Sequence, residues 1–173
     1  PKLVDLLFRA SYLNINLNID QKTVLLKAFY NNNIEIIKIL SSNPKIDLNT
    51  KFRIKNEEKT MLLMAFENNN IEVIKILSSN SNIDVNTKFR IKNEEKTMLL
   101  MAIENNNIEI VQALLSNQNI DPNIKFYIDG EEKTALSLAI DNNNNIEILQ
   151  ALLSNSNIDP NIKLIKNRNE STV

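Results

Sequence analysis

The sequence predicts an all-α fold, a helical repeat solenoid in which extended β-hairpin-like fingers separate successive units. One stretch of chain recurs every 37 residues, and it starts at Thr23, Thr60, Thr97 and Thr134. A fixed period between about 20 and 50 residues is typical of stacked repeats rather than of one closed core. Each copy holds two short apolar patterns with helical spacing and one segment that alternates polar and apolar residues.

The first helical pattern of each unit is almost wholly apolar. In the second full unit it follows Thr60, a fair N-cap residue, and runs from Met61 to Phe66. A run without a polar face predicts a helix that is buried on most sides. Asn68-Asn69-Asn70 comes next, and asparagine both tolerates the left-handed conformation and caps helices. We predict that this triplet ends the first helix and begins the second.

The second helical pattern, from Ile71 to Ser79, is amphipathic. Val73, Ile74 and Leu77 form an apolar face, whereas Lys75 lies on the opposite side. Helices of this length are marginal alone in water. We therefore expect each helix to be held by its neighbours, which gives the repetition a physical reason.

The length favours a single repeat domain over residues 1–173. The full units are 23–59, 60–96, 97–133 and 134–171, with a partial unit at 1–22 and the start of another at 172–173. Because Leu3–Leu7 matches Ile36–Leu40, we expect the first partial unit to lack its first helix and to leave an apolar flank at Leu3, Leu7 and Phe8. This flank predicts weak end-to-end self-association of a fragment from a longer array.

Composition argues against several classes of function. The net charge is −1, from 20 basic and 21 acidic residues, so we expect neither nucleic acid nor a membrane as a partner. The sequence contains neither Cys nor His, which removes thiol nucleophiles, common metal ligands and the usual general base near neutral pH. We therefore expect no enzyme activity, no cofactor and no metal. The lack of a leader pattern and of a long apolar run favours an intracellular, cytoplasmic protein.

The alternating segments predict two-stranded fingers. They are Lys51–Lys55, Lys88–Lys92 and Lys125–Ile128, with predicted tips at Asn56-Glu57, Asn93-Glu94 and Asp129-Gly130. The phenylalanines of these fingers have two interpretations. In the first, which we favour, they cover the ends of the helices or pack finger on finger. In the second, Phe52, Phe89 and Phe126 form a partly exposed ladder for a partner.

Each finger also carries two adjacent glutamates, at Glu57-Glu58, Glu94-Glu95 and Glu131-Glu132. Paired carboxylates can perform acid–base chemistry or bind a hard cation. Adjacent residues on a strand point to opposite faces, however, so we expect solvated carboxylates at all three fingers.

Taken together, these motifs resemble the ankyrin repeat. The T-P-L-H-x-A opening of that family is matched in position by Thr23–Ala28, Thr60–Ala65, Thr97–Ala102 and Thr134–Ala139. Its E-I-V-x-L-L run is echoed at Glu109–Leu114, and its D-V-N at Asp84–Asn86. The unit is 37 residues rather than about 33, and the proline and histidine of the opening motif are missing. The resemblance covers essentially the whole chain, and these departures from the family pattern predict atypical curvature.

The resemblance implies a protein-protein interaction module that binds a protein partner through its concave face and finger tips. Carried onto this chain, the partner-binding residues are Tyr30, Asn31, Asn56, Glu57, Lys59, Glu67, Asn68, Asn93, Glu94, Lys96, Glu104, Asn105, Glu131, Lys133, Asp141 and Asn142. Two alternatives stay open. One is that the differences among units at these positions are neutral drift on a solvated face. The other is that the chain is an inert structural spacer within a longer repeat array.

Overall fold

Eight helices and three antiparallel strand pairs make up the part of the chain that the computed structural model describes, residues 21–91, 94–128, 130–141 and 145–164. The helices are α1 (Gln21–Tyr30), α2 (Ile34–Ser41), α3 (Met61–Glu67), α4 (Ile71–Ser78), α5 (Met98–Glu104), α6 (Ile108–Leu115), α7 (Ala135–Asp141) and α8 (Ile146–Leu153). The strands are β1 (Lys51–Ile54), β2 (Glu57–Thr60), β3 (Lys88–Ile91), β4 (Glu94–Thr97), β5 (Phe126–Ile128) and β6 (Glu131–Lys133). The predicted helical repeats with fingers are therefore present, but the description all-α is wrong because each finger is a true hairpin.

The chain divides into two compact units, residues 1–64 and 65–173. In the first unit, α1 packs against α2, and β1 pairs with β2. The predicted apolar flank of the first partial unit lies outside the described residues. The organisation as a single domain stays a prediction.

Successive helix pairs stack within the second unit. Helix α4 contacts α6, α5 contacts α7, and α6 contacts α8. Leu100, Val111 and Leu114 are fully buried in this stack. All apolar residues of α5, from Met98 to Ile103, are buried, which confirms that the first helix of a unit is enclosed on most sides. These helices have only 7 or 8 residues each, so their stability depends on the neighbouring pairs.

Asparagine triplets turn the chain between the two helices of a unit, as predicted. Asn69 has a left-handed φ of 49°, and Asn106 one of 53°. Asn70 then caps α4, because its side chain accepts a hydrogen bond from the Val73 amide. Asn107 caps α6 in the same way. Helix α4 ends at Ser78, one residue before the predicted end.

Threonine caps the first helix of a unit in some repeats only. Thr97 Oγ1 accepts a hydrogen bond from the Leu100 amide, and Thr60 Oγ1 accepts one from the Leu63 amide. Helix α1, in contrast, already begins at Gln21, so Thr23, which opens the first full unit, lies inside the helix and is not its N-cap. Thr60 and Thr97 are each the last residue of a hairpin strand, so the residue directly before the helix has an extended backbone, as is typical of an N-cap. In α1 the backbone is already helical from Gln21.

Asparagine side chains also connect one repeat to the next within the second unit. Asn117 is buried, and its Nδ2 donates to the carbonyl oxygens of Ser78 at 2.8 Å and Asn80 at 3.1 Å. One repeat later, Asn155 Nδ2 donates to the Leu115 carbonyl at 3.0 Å. These amides satisfy carbonyl groups near helix ends, which have no partner within their own helix. The bonds therefore fix the position of each helix pair on the preceding one.

The hairpins have a regular antiparallel register. Ile54 lies opposite Glu57, so the first finger turns at Lys55 and Asn56, which have φ values of 48° and 75°. The predicted tip, Asn56-Glu57, was wrong by one residue, since Glu57 already belongs to β2. Glu94 likewise belongs to β4, so the second predicted tip has the same error.

The finger phenylalanines do not form an exposed ladder. Phe52 and Phe126 are buried, and Phe89 is half-buried. In the second unit, strand β4 of one finger packs beside strand β5 of the next. The favoured interpretation, in which these side chains pack against the protein itself, is therefore confirmed, and the exposed ladder is wrong.

Candidate functional site

The central side chain of the candidate site is a lysine held between two carboxylates. Lys96 Nζ lies 2.8 Å from Glu94 Oε2 and 2.7 Å from Glu104 Oε1. Glu94 and Lys96 are two residues apart on β4, so they share one face of the hairpin. Glu104 is the last residue of α5. The lysine thus ties the finger to the end of the following helix.

The next repeat contains the same arrangement. Lys133 Nζ pairs with Glu131 Oε2 at 3.0 Å and with Asp141 Oδ2. We call Lys96 with its two carboxylates, and Lys133 with its two, the lysine clamps. Each clamp combines one cation with two anions, so each leaves one surplus negative charge on this surface.

Pairing shifts the pKa of the clamp lysines. The hydrogen bond to Asp141, followed by the one to Glu131, raises the pKa of Lys133 above its ordinary value of 10.5. Burial lowers the pKa of Lys96, but the hydrogen bonds to Glu104 and Glu94 outweigh it, so the net pKa is raised. A lysine whose pKa is raised by folding stabilises the fold fully below the unfolded value, and this contribution is lost as the pH rises through the folded value.

We expect the clamps to make stability fall in alkaline solution. The free energy of unfolding should stay level between about pH 6 and 9 and decline above about pH 10.5, where unfolded lysines lose their protons first. Urea unfolding at a series of pH values measures this decline. The double variant Lys96→Gln, Lys133→Gln should decline less steeply, and an identical slope in both proteins would contradict the assignment.

The hairpin of the first unit carries an equivalent lysine–glutamate pair. Lys59 Nζ lies 2.8 Å from Glu57 Oε2 on the same hairpin face. The hydrogen bond and the charge of Lys59 lower the pKa of Glu57 below its ordinary value of 4.5. Any stabilisation by Glu57 is thus present above pH 4.5 and lost as the pH falls through the lowered value. Asn56 stands beside this pair in the hairpin turn.

Exposed asparagines stand next to the carboxylates that end α3 and α5. Asn68 follows Glu67, and Asn105 follows Glu104. The side-chain amides of Asn68 and Asn105 are exposed and have no hydrogen bond within the described residues. Each amide offers two donors and an acceptor to an incoming group. Most other asparagines of the stack use these groups internally.

The structure brings together part of the predicted partner-binding set. Glu94, Lys96 and Glu104 form one clamp, and Glu131, Lys133 and Asp141 form the other. Tyr30 and Asn31 are exposed in the first unit, where the Tyr30 ring makes an edge contact with Phe29 at a centroid distance of 5.9 Å. The predicted residues Asn93 and Asn142 lie outside the described part of the chain.

One carboxylate departs from the prediction that all the paired glutamates are solvated. Glu132 is buried, and its Oε2 lies 3.0 Å from Lys125 Nζ. Lys125 also donates to the Lys163 carbonyl at 2.8 Å. In the residues that the structure describes, no group of three or more acidic side chains could hold a metal ion.

The sequence reasoning missed how these charges pair. Glu94 and Lys96 stand two apart in an alternating segment, which is a usable signal for a shared face. The partner Glu104 lies eight residues beyond Lys96, and no local period indicates that contact. The clamps therefore become visible only once the hairpin is placed against the helix.

Comparison with known proteins identifies the family. A profile described as "Ankyrin repeats (3 copies)" matches residues 1–89 and 87–163. A search among curated proteins and a search among solved structures gave no significant match. Within the described ranges, no helix is long and apolar enough to span a membrane. Because the profile matches extend over most of the sequence, from residue 1 to residue 163, the chain belongs to the ankyrin-repeat family.

Proposed function

We propose that this chain is a protein-binding module without catalytic activity. Ankyrin repeats are generally protein-protein interaction modules. The proposed binding surface is the side formed by the first helix of each unit, which is the concave face expected of the family, together with the hairpin tips. The observation that carries the proposal is the pair of lysine clamps, each with a surplus carboxylate and the first with the free amide of Asn105 beside it.

The clamps are suited to recognition because their side chains are already ordered. A carboxylate that is held by Lys96 or Lys133 loses less rotamer entropy when a partner binds. The surplus negative charge recurs once per repeat, and packed helices lie about 8 to 10 Å apart. This spacing favours a partner that presents lysine or arginine side chains at a similar interval. The exposed amides of Asn68 and Asn105 add uncharged donors and acceptors for its polar groups.

The absence of catalysis is part of the same proposal. Its support is the composition, since the sequence lacks both His and Cys. The clamp lysines keep raised pKa values, whereas a lysine that acts as a base near neutral pH needs a lowered one. The proposed setting, inside the cell in the cytoplasm, is a prediction from the sequence.

Neutralising the surplus carboxylates tests the binding surface. The partner is first captured from cell extract by cross-linking to the natural chain. The double variant Glu104→Gln, Asp141→Asn should lower the affinity for this partner at least about tenfold, because each charge pair lost at an interface costs of the order of 1 kcal/mol or more. Glu109→Gln is the matched control, because Glu109 is exposed and also pairs with a lysine, Lys75, at 3.3 Å. It should bind like the natural protein.

The same experiment separates a binding module from an inert spacer. If the natural chain captures no protein, or if both variants bind equally well, the proposed surface is not the binding site. The result then supports the interpretation of the chain as an inert spacer. Thermal unfolding of each variant is recorded alongside, so that a loss of folding is not read as a loss of binding.

A further inference from the structure

The first two hairpins each have a basic side that the lysine clamps do not use. On the strand that opens each hairpin, a lysine and an arginine alternate with a phenylalanine and an isoleucine. The lysine and the arginine are exposed, whereas the phenylalanine is buried in β1 and half-buried in β3. We call the exposed cations the basic strand faces, and they are Lys51 and Arg53 on β1, and Lys88 and Arg90 on β3.

The strand register separates these cations from the clamp residues. Each arginine lies opposite a glutamate, which is Glu58 for Arg53 and Glu95 for Arg90. The clamp residue Lys96 lies opposite Phe89, so it projects from the other side of its hairpin. Each basic strand face therefore combines two cations with one carboxylate, which leaves one surplus positive charge.

The two arginines are available to a partner. Within the described residues, neither guanidinium group makes an ion pair or a hydrogen bond, although a glutamate lies opposite each one. The one ion pair that these faces make in the same residues is long, with 3.9 Å between Lys51 Nζ and Glu58 Oε2. A guanidinium group presents five N–H donors in a planar fork. Arg53 and Arg90 can therefore each offer a complete fork to an incoming carboxylate.

The third hairpin differs at these positions. Tyr127 holds the position of the arginines there, and Lys125, which holds the position of the lysines, pairs with the buried Glu132 at 3.0 Å. The hairpin still forms, since β5 and β6 pair in the same antiparallel manner. The formation of a hairpin alone therefore does not explain why the first two carry arginine.

We propose that the basic strand faces bind an acidic protein segment in an extended conformation. Residues two apart on a strand are separated by about 6.6 Å, so Lys51 and Arg53 match carboxylates on alternate residues of an extended peptide. Arginine binds a carboxylate through two parallel hydrogen bonds. This surface goes beyond the proposed function, because the lysine clamps carry the opposite surplus charge and suit a basic partner.

A nucleic acid or an anionic membrane fits these faces less well than a short acidic segment. Affinity for a polyphosphate grows with the number of phosphates that are neutralised, and each hairpin offers only two cations. The net charge of −1 and the surplus carboxylates of the clamps also repel a long polyanion. A short acidic segment confines its negative charge to the contact itself.

Fluorescence anisotropy with a labelled peptide of about six Glu-Thr repeats tests the proposal, since threonine favours an extended chain and the glutamates then share one side. The natural chain should bind it with a dissociation constant on the order of 100 μM, and more weakly as salt is added. The double variant Arg53→Tyr, Arg90→Tyr should weaken binding at least about tenfold. A Gln-Thr peptide of the same length should not bind.

The repeats supply the controls. The arginine variant introduces the residue that the third hairpin already has, so circular dichroism should show an unchanged fold. The variant Lys38→Gln, Lys75→Gln removes the same two positive charges from exposed positions on α2 and α4, where the later repeats have Gln112 and Gln150. This variant should bind the peptide like the natural chain.

The clamp variant Glu104→Gln, Asp141→Asn should also bind the acidic peptide undiminished, so a failure of the proposed function leaves this result intact. No binding by the natural chain would overturn the proposal. Equal losses in the arginine and lysine variants would also overturn it, because they indicate an effect of net charge alone. Tighter binding of a single-stranded oligonucleotide or of phosphatidylserine vesicles, lost in the arginine variant, would assign the basic strand faces to phosphate groups instead.

Discussion

Replacing Ile103 by alanine is expected to lower the free energy of unfolding by about 3 kcal/mol, because the change leaves a cavity in a packed interface. Ile103 is 3% exposed, on a helix that contacts both α6 and α7. A loss of this size lowers Tm by roughly 6 to 12 °C in a chain of this length. Urea unfolding followed by circular dichroism measures it.

The repeat provides its own control for this prediction. Ile140→Ala makes the same chemical change at the equivalent position one unit later, where the side chain is 57% exposed. Any gain in helix propensity from alanine is the same at both sites, so it cancels in the comparison. The Ile140 variant should lose less than about 1 kcal/mol. Equal losses at the two sites would contradict the stacking of repeats described above.

The second large effect is expected at Asn117. Its side chain is 4% exposed and makes three hydrogen bonds, to the carbonyls of Ser78 and Asn80 and from the amide of Asn119. Asn117→Ala removes all three, and the Asn80 carbonyl keeps only the hydrogen bond from the Ile83 amide. At about 1 kcal/mol for each bond, the free energy of unfolding should fall by about 3 kcal/mol.

Gln118→Ala serves as the control for Asn117→Ala. Gln118 is the next residue and is exposed, so its truncation should change the unfolding free energy by no more than about 0.5 kcal/mol. Urea unfolding of the two variants in parallel gives the comparison. If the Asn117 variant is as stable as the Gln118 variant, the inter-repeat hydrogen bonds do not hold the stack together.

Features with a local cause could be predicted from the sequence. The threonine openings, the apolar runs and the asparagine triplets each act within a few residues, so their spacing indicates helices and turns directly. Asn69 and Asn70 adopt the predicted left-handed and capping roles. The alternating segments likewise predict the hairpins, because side-chain direction alternates along any strand.

Features that depend on stacking could not be predicted. The bond from Asn117 to the Ser78 carbonyl joins residues 39 apart in sequence, and its formation depends on how far one helix pair is displaced along the next. The pairing of Lys96 with Glu104 depends in turn on the angle between hairpin and helix. No periodicity in the sequence encodes either quantity.

The tip of the first finger shows how one missing local signal shifts a prediction. A two-residue hairpin turn with positive φ at both positions normally carries Asn-Gly or a similar pair. Here the first position is Lys55, with φ of 48°, and lysine is not a turn signal. The sequence therefore predicts Asn56 as the first residue of the turn, whereas it is the second.

The use of asparagine at the helix turns has a consequence for the unfolded chain. Glycine would adopt the left-handed conformation at Asn32, Asn69 and Asn106 without strain, but it also leaves the denatured backbone very free. The side chain of asparagine restricts the unfolded backbone, so less conformational entropy is lost when each turn becomes ordered. The strain of a left-handed residue, about 1 kcal/mol, opposes this gain. A chain with one glycine thus begins folding from a stiffer ensemble, and the effect accumulates with every repeat.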